Sequence, residues 1–356
     1  MKSREENHFV IGVMSGTSLD GVDMCYVRFS KTNISDFSIL HATTIPYSKE
    51  RKKTLQDAYF ADTDTLNALD TSYGKWLGKI IESFVQKNGI KKVDFIASHG
   101  HTVHHRPEEG YTRQIGCGKS ISKTTGIATV CDFRTQDVQL GGQGAPLVPI
   151  GDQLLFSEYD ACLNLGGFAN ISMHDKGKRI AYDICPVNVM LNYWAQQLGA
   201  PYDKNGQMAQ KGVISKSLLK ILESLPFYSE KPPKSLGIEF VETTVMPIVN
   251  NKTLSPQDCL STWVAHCAIR ISAELPSDKN QRTLVTGGGA FNAFLIEQLK
   301  EKTTSQLVIP NPLLVNYKEA LIFALLGLLK ITGKDNCLAS VTGASRNHSS
   351  GKIFIS

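Results

Sequence analysis

The stretch FVIGVMSGTSLDGVDMCYVRF, residues 9–29, decides the fold. An apolar run over 9–14 meets a turn made of Gly, Ser, Thr and Asp, and a second apolar run follows over 24–29. That pattern reads as strand, tight polar turn, strand. It returns in ACLNLGGFANISMHD, residues 161–175, where the run ending at Leu165 meets Gly166 and Gly167 and resumes at Asn170. A third strand over 179–184 follows a hairpin at Lys176, Gly177 and Lys178. Each unit leads into alternating helices and strands, which predicts an α/β protein of two similar lobes with partly parallel sheets. The expected division is 1–158 and 159–356, with the last helices free to pack back on the first lobe.

Outward from these units the signals stay regular. Tyr73, Trp76, Leu77, Ile80, Ile81, Phe84 and Val85 recur at three and four, which predicts a helix. VDFIASHG, residues 93–100, reads as a strand ending at His99 and Gly100. TLVTGGGAFNAFLIEQLKEK, residues 283–302, reads as a buried strand, a triple-glycine turn and a helix. The segment 229–235, with Pro232 and Pro233, reads as an ordered loop. No short-period repeat is present, so solenoids and propellers are excluded.

At 356 residues the chain is long enough for about two domains of roughly 150 residues each. Hydrophobic residues make up 42% and charged residues 20%, which excludes disordered and fibrous classes. The formal net charge of +5 is diffuse, without the charge runs that would indicate nucleic acid or a membrane surface as partner. The opening MKSREENH is too charged for a signal peptide, and the longest apolar run, 320–329, is shorter than the ~20 residues of a spanning helix. A soluble protein is expected. Eight scattered cysteines without a C-x-x-C pair read as free thiols in a reducing, cytoplasmic setting.

Five segments carry candidate chemistry. The turn Gly16, Thr17, Ser18, Leu19, Asp20, Gly21, Val22, Asp23 offers backbone N–H groups and hydroxyls to an anion, and Asp20 and Asp23 are placed to hold Mg²⁺ through water. A plain hairpin turn is the competing reading, and the missing G-K-[ST] excludes a Walker loop. Gly287, Gly288 and Gly289 at a strand-to-helix junction allow close ligand approach or, equally, close packing. His99, His101, His104 and His105 invite a zinc reading. However, His99 and His101 are expected on opposite strand faces and no second cluster has ligand spacing, so a substrate-binding His99 is preferred, with His104 and His105 in a loop. Asp132, Arg134, Asp137 and Gln143 lie among Gly141, Gly142, Gly144 and Pro146, either as a ligand-binding segment or as a long structural loop. Asp183, at a strand end before Pro186 and Asn188, suits a general base or an ordinary turn.

Taken in order, GVMSGTSLDGVD, SHGHTVHHRP, DFRTQDVQLGGQGAPLVP, LNLGGFANIS, PYDKNGQMAQKG, PPKSLGIEF, TGGGAFN and KEALIFALLG resemble the anhydro-N-acetylmuramic acid kinase family over nearly the whole chain. That family belongs to the actin, sugar-kinase and heat-shock ATPase superfamily. The resemblance implies two ribonuclease-H-like lobes around an ATP cleft. It also implies ATP-dependent opening of a 1,6-anhydro sugar with phosphorylation at O6, requiring Mg²⁺ and allowing a homodimer. By position, residues 16–23, Asn164, Gly166, Gly167 and Gly287, Gly288 and Gly289 would contact ATP. Asp183 would be the base, while His99, Arg134 and Glu319 would hold the sugar. Two departures stand out. The family's D-T-G-P-G-N appears as Asp183-Ile184-Cys185-Pro186-Val187-Asn188, and its H-G-Q-T as His99-Gly100-His101-Thr102. If the lost glycines held left-handed backbone, the pocket floor must differ. A kinase for another sugar or anhydrosugar and a non-catalytic nucleotide switch therefore stand as alternatives, the retained Asp183 weighing against the second.

Overall fold

The computed structural model describes residues 7–16, 19–250 and 254–356. Thirteen strands occur among them: β1 Asn7–Ser15, β2 Gly21–Ser30, β3 Phe37–Pro46, β4 Phe95–Ser98, β5 His101–Arg106, β6 Tyr111–Ile115, β7 Thr129–Cys131, β8 Ala161–Leu165, β9 Phe168–Asp175, β10 Lys178–Pro186, β11 Arg282–Thr286, β12 Gln306–Val308 and β13 Lys352–Phe354. The chain divides into one unit of Met1–Phe156 with Tyr317–Ser356 and another of Ser157–Asn316.

In the first unit β1, β2 and β3 form an antiparallel meander, β4 and β7 add in parallel, and β13 closes the far edge antiparallel to β7. Alternation along β1 sends Ile11 and Val13 into one core with Ile96 and with Tyr73, Leu77 and Ile81 of the Thr63–Lys87 helix. Gly12 faces the other way. A β-carbon there would fall 2.0 Å from the Ala320 carbonyl oxygen, so only glycine lets the Pro312–Ile331 helix lie this close. Gly327 repeats the device against Ala97 of β4. This contact groups Tyr317–Ser356 with the first unit, as the expected packing-back of the last helices allows, and the second unit ends at Asn316.

The Pro312–Ile331 helix is long and apolar enough to cross a membrane by length and composition, which the ten-residue run had not indicated. Here residues 320–326 are all buried inside protein, and a helix covered on every side is apolar on every side. The predicted 73–85 helix begins earlier, at Thr63, where Asp62 caps it by accepting from the Thr65 N–H at 2.8 Å.

The second unit repeats the strand order. β8, β9 and β10 form a meander, then β11 and β12 add in parallel, giving β10-β9-β8-β11-β12. Its core joins Leu163, Leu165, Ile171 and Ile184 to Trp263 and Leu260 of the Pro256–Glu274 helix and Leu295 of the Ala293–Lys302 helix. In each sheet the polar turn at the end of the first meander strand, and the ends of its parallel neighbours, come to one edge.

Candidate active site

In the first unit the β1–β2 turn begins at Gly16, and Leu19 holds φ 57°, a left-handed conformation costly for a leucine. Thr17 and Ser18 lie outside the described residues. Asp20 is exposed, while Val22 is fully buried in the core and offers only its backbone. Asp23 lies opposite Met14 in the ladder and accepts from the Thr44 hydroxyl at 2.6 Å. Burial raises its pKa and repulsion from Asp20 adds to this, against the Thr44 bond.

His99 and Arg134 are brought together. Arg134 Nε donates to His99 Nε2 at 3.0 Å, and Nη1 donates to the Gly144 carbonyl at 2.6 Å. The acceptor role requires a neutral ring protonated at Nδ1. Burial and the adjacent guanidinium hold the imidazole pKa well below its ordinary value. His99 Nδ1 is buried and completes no well-aligned hydrogen bond among the described residues, with the Gly100 and Ser15 backbone near enough to favour its proton. Arg134 itself is pushed down to about 10 by burial, with the Glu319 charge opposing. Glu319 is exposed by area yet ringed by protein. That desolvation raises its pKa, repulsion from Asp23 raises it further, and Arg134 and Lys318 act against both.

A polar chain missed in the sequence continues from here. Ser15 Oγ lies 2.7 Å from the Tyr47 hydroxyl and 3.2 Å from His101 Nδ1, and Tyr47 lies 2.5 Å from the Tyr73 hydroxyl. Burial brings His101 down to about 4, so it is neutral. The two histidines are separated by Gly100 at φ 74°, which breaks the strand between β4 and β5, and both are buried. His104 and His105, expected in a loop, belong to β5 instead, paired with Arg113 and Thr112 of β6. Six residues, three of them histidines and only the first four alternating in burial, give no strand signal on their own.

In the second unit the glycine turns converge. Asn164 is the last residue but one of β8, with Gly166 and Gly167 in the turn to β9. The Val187 N–H donates to the Gly167 carbonyl at 2.8 Å, and Asn188 Nδ2 donates to the Leu165 carbonyl at 3.0 Å. Gly287 has φ 82°, and a β-carbon on it would fall 2.6 Å from Asn164 Oδ1. Gly289 would collide with Leu165, whereas Gly288 is exposed and a β-carbon there would meet only Asn188 Nδ2, at 3.8 Å.

Asp183 stands across from Asn170 just before a bulge that shifts the β10 register between Asp183 and Cys185. Bulges re-aim side chains at sheet ends. The loop after Pro233 holds it: the Asp183 N–H donates to the Lys234 carbonyl at 3.0 Å, and the Leu236 N–H donates to Asp183 Oδ2 at 2.8 Å. Burial raises the carboxyl pKa against that single hydrogen bond. The motif PPKSLGIEF contained Lys234 and Leu236, but nothing in it signalled that its backbone serves a carboxylate. Cys185 and Val187 are fully buried core residues, and Val187 has φ −119°. Neither holds left-handed backbone, so the lost glycines are not required by backbone geometry.

A profile of the anhydro-N-acetylmuramic acid kinase family matches residues 8–356. The chain is 36% identical to the anhydro-N-acetylmuramic acid kinase of Mannheimia succiniciproducens, with 97% of this chain and 98% of the relative aligned. It is 34% identical to the enzyme of the same name from Vibrio cholerae, over 98% and 99% of the two chains. Among solved structures, a ROK family glucokinase from Streptomyces griseus aligns over 89% of this chain and 98% of its own, at 12% identity and a TM-score of 0.41. The sequence matches run from one end of the fold to the other, and this chain belongs to the anhydro-N-acetylmuramic acid kinase family.

Proposed function

We propose that this chain opens 1,6-anhydro-N-acetylmuramic acid and phosphorylates it at O6 with ATP, giving N-acetylmuramic acid 6-phosphate and ADP, a step in peptidoglycan recycling. Full-length membership of the family carries this reading, and Asp183 supplies its chemical centre. Water attacks the anomeric carbon, Asp183 takes the proton, the bond from that carbon to O6 breaks, and O6 accepts the γ-phosphoryl group.

The environment of Asp183 suits that role. Leu236 occupies Oδ2, and Oδ1 makes no hydrogen bond among the described residues. A carboxylate with a raised pKa is a stronger base than one in water. Phosphoryl transfer is otherwise a matter of positioning and charge. The 16–23 turn, Asn164, Gly166, Gly167 and the exposed Gly288 are the proposed phosphate contacts. His99 Nδ1–H and Arg134 are the proposed donors to the sugar, whose carboxylate suits a guanidinium, with Glu319 beside them.

Asp20, Asp23 and Glu319 fit a hard divalent cation. The pKa values of Asp23 and Glu319 are raised partly by neighbouring carboxylates, a repulsion that a cation relieves. Asp20 and Asp23 would hold Mg²⁺ through water, and its chemistry would be to neutralise phosphate charge. Cytoplasmic placement is supported by eight free cysteines. A small-molecule sugar is the proposed partner, alongside a second copy of the chain.

The test is ADP release with Mg-ATP and 1,6-anhydro-N-acetylmuramic acid, N-acetylmuramic acid and N-acetylglucosamine in parallel, with product mass measured in oxygen-18 water. Turnover of the anhydro sugar alone, with one heavy oxygen at the anomeric carbon, is expected. Turnover of an ordinary sugar would overturn the ring-opening reading. ATP binding without turnover of any of the three would overturn the substrate assignment.

A further inference from the structure

We propose that Asp137, Cys337 and His348 form a zinc site inside the first unit. The three residues are 0%, 2% and 4% exposed, and their ligand atoms all lie within 4.8 Å of one another. Backbone pairing sets two of them face to face. The Cys337 N–H donates to the His348 carbonyl at 3.1 Å, and the His348 N–H returns to the Cys337 carbonyl at 3.3 Å. Asp137 comes from the short Thr135–Gln139 helix, some two hundred residues away in sequence.

The hydrogen bonds around His348 point to a ligand. Its Nδ1 lies 3.1 Å from the Arg346 carbonyl, which can only accept, so Nδ1 carries the proton. In the neutral ring Nε2 is then a lone pair. It is enclosed, completes no hydrogen bond, and stands 3.4 Å from Asp137 Oδ1, a second acceptor. Charge-assisted N–H···O contacts run at about 2.7–2.9 Å, which is shorter. Two ligands bound at about 2.0–2.1 Å to one tetrahedral ion lie roughly 3.3–3.4 Å apart, which matches. A histidine that gives its other N–H to a backbone carbonyl is the usual arrangement around a metal. Without a metal, burial and the Asp137 charge push the Cys337 thiol up to about 12, so binding would displace its proton; imidazole, carboxylate and the resulting thiolate together suit Zn²⁺ rather than Mg²⁺.

The carboxylate is also fixed for the task. Oδ2 accepts from the Gly144 N–H and Oδ1 from the Thr342 hydroxyl, each at 2.7 Å. Gly142 leaves room, since a β-carbon there would sit 2.2 Å from Asp137 Oδ2. Gly144 is also where Arg134 donates. A metal here ties the C-terminal segment to the loop that sets Arg134, a consequence that rests on the proposed sugar-binding role, whereas metal binding itself does not.

The experiment uses tag-free full-length protein. Elemental analysis after Zn²⁺ loading and desalting is expected to give one zinc per chain, and Co²⁺ in its place a thiolate-to-cobalt charge-transfer band. Cys337→Ser is expected to abolish that band and His348→Gln to abolish stoichiometric metal, with Cys162→Ser unchanged as control. Zinc absent after loading, with a melting temperature indifferent to Zn²⁺ and to chelator, would overturn the proposal and leave a plain buried aspartate–histidine contact. The cobalt spectrum of the unmutated chain decides the matter even if a variant fails to fold.

Discussion

Gly288→Ala separates packing from ligand approach within a single turn. The three glycines at the β11 exit have different reasons to be there. At Gly287 alanine meets both a left-handed backbone at φ 82° and Asn164 Oδ1 at 2.6 Å. The conformational cost is about 1–2 kcal/mol and overpacking adds about 1–3 kcal/mol. Gly287→Ala is therefore expected to lose about 2–5 kcal/mol in urea unfolding. Gly288 has neither constraint: it is exposed, its backbone is right-handed, and its nearest neighbour would be Asn188 Nδ2 at 3.8 Å. Gly288→Ala is expected to unfold at the same urea concentration or slightly higher, by about 0.4–1 kcal/mol from the stiffer unfolded chain. If the nucleotide lies against this backbone, the added methyl intrudes on it and costs about 1–3 kcal/mol, as overpacking does. At 1.4 kcal/mol per decade, the KM for ATP rises roughly 5–150-fold while the KM for the sugar holds. An unchanged KM for ATP in a folded Gly288→Ala protein would refute the claim that this turn receives the nucleotide.

Asp183→Asn is expected to lower kcat by about 10²–10⁴-fold, the usual worth of a general base, with ATP affinity measured by calorimetry unchanged. Because burial raises the Asp183 pKa, kcat should fall on acidification at a higher pH than an ordinary aspartate would give. By the same sign, the folded state binds this proton more tightly than the unfolded chain, so the ionised carboxylate costs stability at neutral pH and Asp183→Asn should melt higher there; equal or lower melting would contradict the assignment. Arg134→Lys keeps the charge and loses the fork to His99 and Gly144. With hydrogen bonds to charged groups worth about 1.5–3 kcal/mol, the KM for the anhydro sugar should rise about 10–100-fold and that for ATP should not. Val187→Gly restores a glycine of the family pattern but removes a fully buried side chain; it is expected to cost about 2–4 kcal/mol without changing which sugars are turned over, and a broadened substrate range would refute this.

Much of the fold was legible because its signals are local. An apolar run, a glycine-rich polar turn and a second apolar run occur twice, and twice they build the first two strands of the same sheet order. The boundary was less legible. Gly12 and Gly327 mark the close crossing of the C-terminal helix on β1 and β4, yet as single letters they look like any strand or helix glycine. The histidines show another limit: two positions apart, His99 and His101 would share a face of one continuous strand rather than take the opposite faces expected, but Gly100 at φ 74° lies between β4 and β5, so neither single-strand rule applies. Long-range partners were invisible. No spacing rule links Ser15 to Tyr47 and Tyr73, or Asp137 to Cys337 and His348.

The repeated strand order also explains why position alone left Asp183 between a general base and an ordinary turn residue. Both units offer a carboxylate near one terminus of a meander strand, Asp23 at the start of β2 and Asp183 towards the end of β10, so topology alone nominates two bases. Their surroundings decide between them. Asp23 is already engaged by the Thr44 hydroxyl and lies within the repulsion of Asp20, the setting of a cation ligand. Asp183 has a bulge beyond it that re-aims the strand and a single N–H from a loop fifty-three positions away holding one oxygen, which leaves the other for a proton. One duplicated scaffold thus yields two different carboxylates, and the difference comes from the threonine on β3 and the loop after Pro233 rather than from the strands that the sequence announces.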